Sequence, residues 1–179
     1  MITIIFEAHS TTTDNEAGLA SGHNDVELSE SGNKQSHELG QRYAHEHFDA
    51  IFCSDLQRSY KTAQLAFGDK FPISTDPRLR ECDYGTLTQQ SKALVDAEKP
   101  KRIHTPFPRG ESYEQCADRM KRFLQDLLAT HDGRKVLVIG HRATQYGLEH
   151  WVAGVPLAVV VTAPWKWQPG WEYKLVTLT

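Results

Sequence analysis

Residues 2–11 read Ile-Thr-Ile-Ile-Phe-Glu-Ala-His-Ser-Thr, and this stretch decides the fold. From Ile2 to Ala8 the chain is β-branched and almost wholly apolar. At His9-Ser10-Thr11 the chemistry changes abruptly to polar. A nearly continuous apolar run of that length suits a strand buried on both faces, as in a parallel sheet. Lys135–Gly140 (KVLVIG) repeats the pattern and is again followed at once by a histidine, His141.

Working outward, helical patterns separate the strands. Ser29 is a good N-cap for a helix reaching Phe48, with Leu39 and Tyr43 one turn apart. Ala50–Cys53 reads as a short strand and Asp55–Phe67 as a helix, and Ile73–Leu79 adds an extended piece. The clearest helix runs from Ser112 to His131. Cys116, Met120, Phe123, Leu124, Leu127 and Leu128 form its apolar stripe, and Arg119, Lys121 and Asp126 lie off it. A helix over about Ala143–Ala153 and a strand over Glu172–Leu178 complete the pattern. The fold class is therefore α/β, a mostly parallel central sheet with helices on both faces. The 179 residues suit one packed domain over 1–179.

Composition excludes more than it assigns. A net charge of -3 gives no electrostatic case for a nucleic-acid partner. The opening MITIIFEAHS has no basic leading region and is too short for a membrane span, so no membrane partner and a cytoplasmic location are expected. Cys53, Cys82 and Cys116 are scattered without metal spacing, and His45 and His47 point to different faces of a helix end. No metal and no cofactor are expected. The sequence says nothing of oligomeric state.

In such sheets ligands bind at the carboxyl ends of strands. His9 and His141 each follow a strand, Arg58 lies early in a helix after a strand, and Glu81 follows the extended piece ending at Leu79. Singly, each has an ordinary reading as a hydrogen-bonded or solvated surface residue. Together, two imidazoles, a guanidinium and a carboxyl group suit phosphoryl transfer. A neutral imidazole attacks phosphorus, Arg pairs with phosphate oxygens, and a carboxylic acid protonates the leaving oxygen.

Six short motifs recur in order. They are Ala8-His9-Ser10-Thr11-Thr12-Thr13-Asp14-Asn15, then Ser21-Gly22 with Leu28-Ser29-Glu30-Ser31-Gly32-Asn33-Lys34-Gln35, and Ser54-Asp55-Leu56-Gln57-Arg58 running to Thr62-Ala63. Leu79-Arg80-Glu81 running to Gly85, Gly110-Glu111-Ser112 and Gly140-His141 come next. In this order the chain resembles the histidine phosphatase superfamily, the phosphoglycerate mutase-like group, over essentially its whole length.

The resemblance implies a phosphoglycerate mutase-like three-layer sandwich and a phosphatase acting on a small phosphorylated metabolite. It implies His9 as the residue that takes the phosphoryl group and Glu81 as proton donor. Arg58 and His141 would hold the equatorial oxygens, Asn15 and Ser10 would be lesser contacts, and Ser21, Gly22 and His23 would border the pocket. No metal enters that scheme.

The chain also departs from the family pattern. Ala8 stands where the family has Arg, and Ser10 where it has Gly. Losing one charge-assisted contact costs about 1.5–3 kcal/mol of phosphate affinity. Three readings compete: Arg142, next to His141, restores the charge; the chain binds phosphorylated ligands with little or no turnover; or Ala8 is an introduced substitution. Glu7 beside it is expected to recruit Arg142 or a substrate amine, or to end the strand facing water. A phosphoglycerate mutase-type transfer is the other enzymatic reading, and the shortness of the chain favours hydrolysis. The Lys99–Arg102 stretch reads as a solvated loop, and the aromatic run Trp165–Tyr173 as packing of a turn and a terminal strand.

Overall fold

A computed structural model describes residues 1–178. Five strands build one sheet in the order β3-β2-β4-β1-β5. In chain order, β1 is Ile2–Ala8, α1 Thr13–Glu16, α2 Glu30–Arg42, β2 Ala50–Cys53, α3 Gln57–Phe67 and β3 Ile73–Thr75. Then come α4 Lys92–Glu98, α5 Tyr113–Thr130, β4 Lys135–Gly140, α6 Arg142–Trp151, α7 Leu157–Thr162 and β5 Trp171–Leu175. Four strands run parallel, and β5 lies antiparallel along β1.

Alternation along the central strands divides the core in two. Ile4, Phe6, Val136 and Val138 turn to one face and pack with Met120, Leu124 and Leu148 of α5 and α6. Ile5, Leu137 and Ile139 turn to the other and pack with Leu39, Ala63 and Phe67 of α2 and α3. Both faces of β1 and β4 are therefore dry, which is why their sequences are apolar without interruption. The expected mostly parallel sheet with helices on both faces is what forms.

Several boundaries differ from expectation, each for a local reason. Helix α2 stops at Arg42, because Tyr43 leaves helical geometry and the chain turns to bury Phe48 against Tyr43 and Phe67. Helix α3 begins two residues late, its first N–H being taken by the Asp25 carboxylate at 2.7 Å. Strand β3 ends at Thr75, since Asp76 caps a 3-10 turn at Pro77–Leu79. Strand β5 ends at Leu175, which pairs with Ile2, so residues 176–178 have no strand left to join. Helices α4 and α7 are seven and six residues long, too short for a helical period to show in the sequence. Among the described residues no helix is long and apolar enough to cross a membrane.

The register of β1 on β4 sets the position of the two histidines. Ala8 pairs with Gly140, so both strands end level and His9 and His141 leave the sheet side by side.

Candidate active site

A cavity of about 640 Å³ opens at the carboxyl ends of β1 and β4. His9, Ser10, Asn15, Ser21, Gly22, Arg58, Glu81, His141 and Arg142 all line it, though they come from separate stretches of chain. Of the residues singled out in the sequence, His23 alone lies outside that lining. Its Nε2 is 2.8 Å from the Glu81 carbonyl, so it supports the backbone behind the carboxyl group.

His9 and His141 face each other with ring centroids 5.0 Å apart. The His9 Nδ1 lies 2.7 Å from the Ser10 carbonyl. A carbonyl only accepts, so Nδ1 carries the proton and Nε2 keeps its lone pair. Burial, then the charge of Arg58 and, more weakly, of Arg142 push the His9 pKa down to about 3, against a small opposite pull from the Ser10 hydrogen bond. The ring is neutral at ordinary pH.

His141 is 1% exposed, and its pKa is likewise held well below the usual histidine range by burial and by Arg58. Its Nε2 meets the Ser54 hydroxyl at 2.6 Å, while its Nδ1 is buried and has no hydrogen-bond partner among the described residues. A buried orphan of this kind is rare, and here it belongs to a residue that lines the cavity.

Arg58, 2% exposed, is the largest fully buried side chain. Two of its nitrogens are pinned by carbonyls, Nη2 donating to Gly22 at 2.6 Å and Nη1 to Asn24 at 2.9 Å. Gly22 holds a positive φ of 53° to present that carbonyl, and a Cβ there would press on Tyr84 and on the Cys82 carbonyl. Burial presses the guanidinium below the ordinary arginine range, with Glu81 opposing. Ser21 acts further back, donating to Asp14.

Among the described residues Glu81 is anchored through one oxygen only. Its Oε1 accepts from the backbone N–H of Cys82 at 2.8 Å and of Ala143, in the first turn of α6, at 3.2 Å. Oε2 is left for the cavity. Asn15 and Ser10 carry structural bonds as well as lining the site. Asn15 forms a reciprocal cap with Thr12, and Ser10 accepts from the Ser36 hydroxyl while its N–H donates to Thr62.

The surroundings of Glu7, of Lys99 and of part of the aromatic run differ from expectation. Glu7 neither faces water nor meets Arg142. It is 1% exposed, and its Oε1 accepts from Arg42 Nη2 and the Tyr43 hydroxyl, both at 2.7 Å. Lys99 is not solvated either. It is 8% exposed, lines the cavity and pairs with Asp96 at 2.8 Å and the Tyr146 hydroxyl at 3.3 Å. The aromatic run divides between roles. Trp171 packs on Phe6, whereas Trp165 and Trp167 also line the cavity. Arg142 is half-buried with its guanidinium 4.7 Å from the Trp165 ring centroid. No signal in the sequence linked Arg42 to Glu7 beyond an acid stranded on an apolar strand.

A metal has one place to be considered among the described residues. Cys82, Glu111 and Cys116 bring ligand atoms within 4.8 Å of one another. Arg119 donates to the Glu111 carboxylate at 2.9 and 3.0 Å and to Cys116 Sγ at 3.5 Å. A guanidinium already supplies the positive charge there, which disfavours a cation.

Comparison with known proteins agrees with this geometry. The model of the histidine phosphatase superfamily, branch 1, matches residues 4–165. A probable phosphoglycerate mutase, GpmB, of Erwinia tasmaniensis is 30% identical over 87% of this chain and 77% of its own length. Phosphoserine phosphatase 1 of Hydrogenobacter thermophilus is 29% identical over 88% and 79%. Among solved structures, Bacillus stearothermophilus YhfR superposes with a TM-score of 0.82 at 24% identity, covering 94% of this chain and 88% of that one. A mycobacterial glucosyl-3-phosphoglycerate phosphatase complexed with VO3 superposes at 0.79 and 25% identity, covering 90% and 87%. Sequence, sheet order and the paired histidines lead to one assignment: the chain belongs to branch 1 of the histidine phosphatase superfamily.

Proposed function

We propose that the protein is a phosphatase that hydrolyses a small phosphomonoester through a phosphohistidine at His9. The observation that carries this reading is the tautomer of His9, whose Nδ1–H is spent on Ser10, so that Nε2 keeps its lone pair in a cavity shared with the buried Arg58 and with His141.

The phosphate enters with its oxygens toward Arg58 and His141. Nε2 attacks phosphorus, and the Nε2–P bond forms as the P–O bond to the alcohol breaks. Glu81 gives its proton to the departing oxygen through Oε2. Water then attacks the phosphohistidine, Glu81 takes the proton back, and inorganic phosphate leaves. Charge on the transferring group is met by Arg58 and by N–H donors fixed before the substrate arrives, so none of the barrier goes to orienting them. Arg142 supplies the second cation that an arginine at position 8 would provide, since β1 and β4 end level and its charge reaches His9. The binding of VO3 by the mycobacterial relative is in keeping with a phosphoryl site. Hydrolysis is favoured over a mutase reaction because α4, whose Lys92 and Val95 line the cavity, is only seven residues long and offers little to enclose a second phosphate.

The test is rapid acid-free quenching of turnover with a radiolabelled phosphomonoester. An alkali-stable phosphoenzyme is expected in the wild type and not in His9→Ala. Equal hydrolysis by the two proteins across a metabolite panel, with no phosphoenzyme, overturns the reading.

A further inference from the structure

Glu7 takes no part in phosphoryl transfer, yet its surroundings point to a use. One of its oxygens, Oε1, is doubly bonded to Arg42 and Tyr43, while Oε2 has no hydrogen-bond partner among the described residues. Glu7 lines the cavity, so this second oxygen is free to accept a donor from a ligand or from water there. Its position shows which ligand is in reach. Glu7 and His9 are two apart on an extended run, hence on one face, and both line the same cavity. Gly170, at φ 75°, packs closely on the bonded side of the carboxylate, since a Cβ there would fall 2.6 Å from the Tyr43 hydroxyl and 3.3 Å from Glu7 Oε1.

Arg42 ties this acid to an aromatic surface. Its guanidinium sits 5.9 Å from the Trp167 ring centroid. Trp167 is 54% exposed, lines the cavity and makes no ring–ring contact among the described residues. Trp165 differs, being covered by Trp171 and Arg142. The rim next to the phosphate chamber thus combines an idle carboxylate oxygen, an immobilised guanidinium and a bare indole face. A sugar ring matches all three, with C–H groups for the indole, hydroxyl donors for the carboxylate and hydroxyl acceptors for the guanidinium.

We propose that Glu7, Arg42 and Trp167 form a leaving-group subsite for a hydroxylated ring, and that the substrate is a sugar phosphate. The proposal rests on the phosphatase reading for turnover, but binding tests it separately. Calorimetric affinities of glucose 6-phosphate, ribose 5-phosphate and butyl phosphate are compared on the His9→Ala protein, with and without Trp167→Ala. Either sugar phosphate is expected to bind about tenfold more tightly than butyl phosphate, and Trp167→Ala to erase that advantage while leaving butyl phosphate unchanged. On the active enzyme, Glu7→Gln is expected to raise KM for the sugar phosphate about tenfold and to spare butyl phosphate. Equal affinities for all three esters, or a sugar advantage that survives Trp167→Ala, overturns the subsite. A Glu7→Gln loss equal on both esters does so too, because it would make Glu7 a support for Arg42 alone. Failure of the parent reading looks different, with no His9-dependent hydrolysis of any ester.

Discussion

The backbone N–H of His9 donates to the Gly140 carbonyl at 3.0 Å, extending the β1–β4 ladder one residue past the strand. That bond fixes how far apart the two imidazoles stand. Gly140 cannot gain a side chain without cost, because a Cβ would come within 2.5 Å of Thr144 Oγ1 and 2.9 Å of its Cβ. Thr144 is itself committed, donating to Leu79 and accepting from the His141 N–H. Gly140→Ala is therefore expected to destabilise the protein by about 1–3 kcal/mol. It should also lower kcat more than it raises KM, as read by denaturant midpoints and steady-state kinetics.

The buried Arg58 supplies a second prediction. Its two carbonyl partners hold the guanidinium plane, and a lysine cannot reproduce that fork. Arg58→Lys is expected to reduce kcat/KM by about 10²–10³-fold although charge is retained. A loss smaller than tenfold would mean that charge alone suffices.

Ser54 is expected to act through His141. With Ser54→Ala the His141 Nε2 would be buried without a partner, a cost of about 1–3 kcal/mol in stability or in orientation of the ring. The kinetic readout is a fall in kcat with KM nearly unchanged. Ser54→Thr, which restores a hydroxyl, should recover most of it.

Stability should depend on pH through the two imidazoles. Both are held neutral in the fold, His9 with a pKa lowered from 6.5 to about 3 and His141 well below 6.5. The unfolded chain binds protons at both once pH drops below about 6.5, and the folded chain does not. Stability is thus expected to be level above pH 6.5 and to decline as pH falls from 6.5 toward 3. His9→Gln should make that decline shallower in urea titrations at pH 7.5 and 5.

Arg142 and Ala8 can be tested as a pair. Arg142→Ala is expected to weaken competitive inhibition by inorganic phosphate about 10- to 150-fold. Adding Ala8→Arg to that variant should recover much of the loss. An unchanged inhibition constant in Arg142→Ala would remove it from the phosphate site.

How far each feature could be read in the sequence depends on how it is encoded. β1, β2, β4 and α5 announce themselves because burial on both faces, or on one helical stripe, writes a period into consecutive residues. The meeting of His9 with His141 was inferable from topology, since ligands gather where neighbouring parallel strands end. The Glu7–Arg42 pair was not, because a contact across 35 positions leaves no local pattern. Lys99 misled for a related reason. A lysine in a charged stretch reads as solvated, and only Asp96 and Tyr146, placed by α4 and α6, show it to be enclosed. The end of α2 was obscured by Tyr43, whose ring continues the helical stripe while its backbone has already left the helix.

The antiparallel pairing of β5 with β1 has a practical result for handling the protein. Ile2 faces Leu175 at the base of the sheet, whereas Phe6 faces Trp171 near the top. The first strand therefore begins, and the last one finishes, at the end remote from the cleft. A surface tether attached beside Ile2 or Leu175 will hold the molecule by its floor, leaving the mouth of the cavity turned toward the solution.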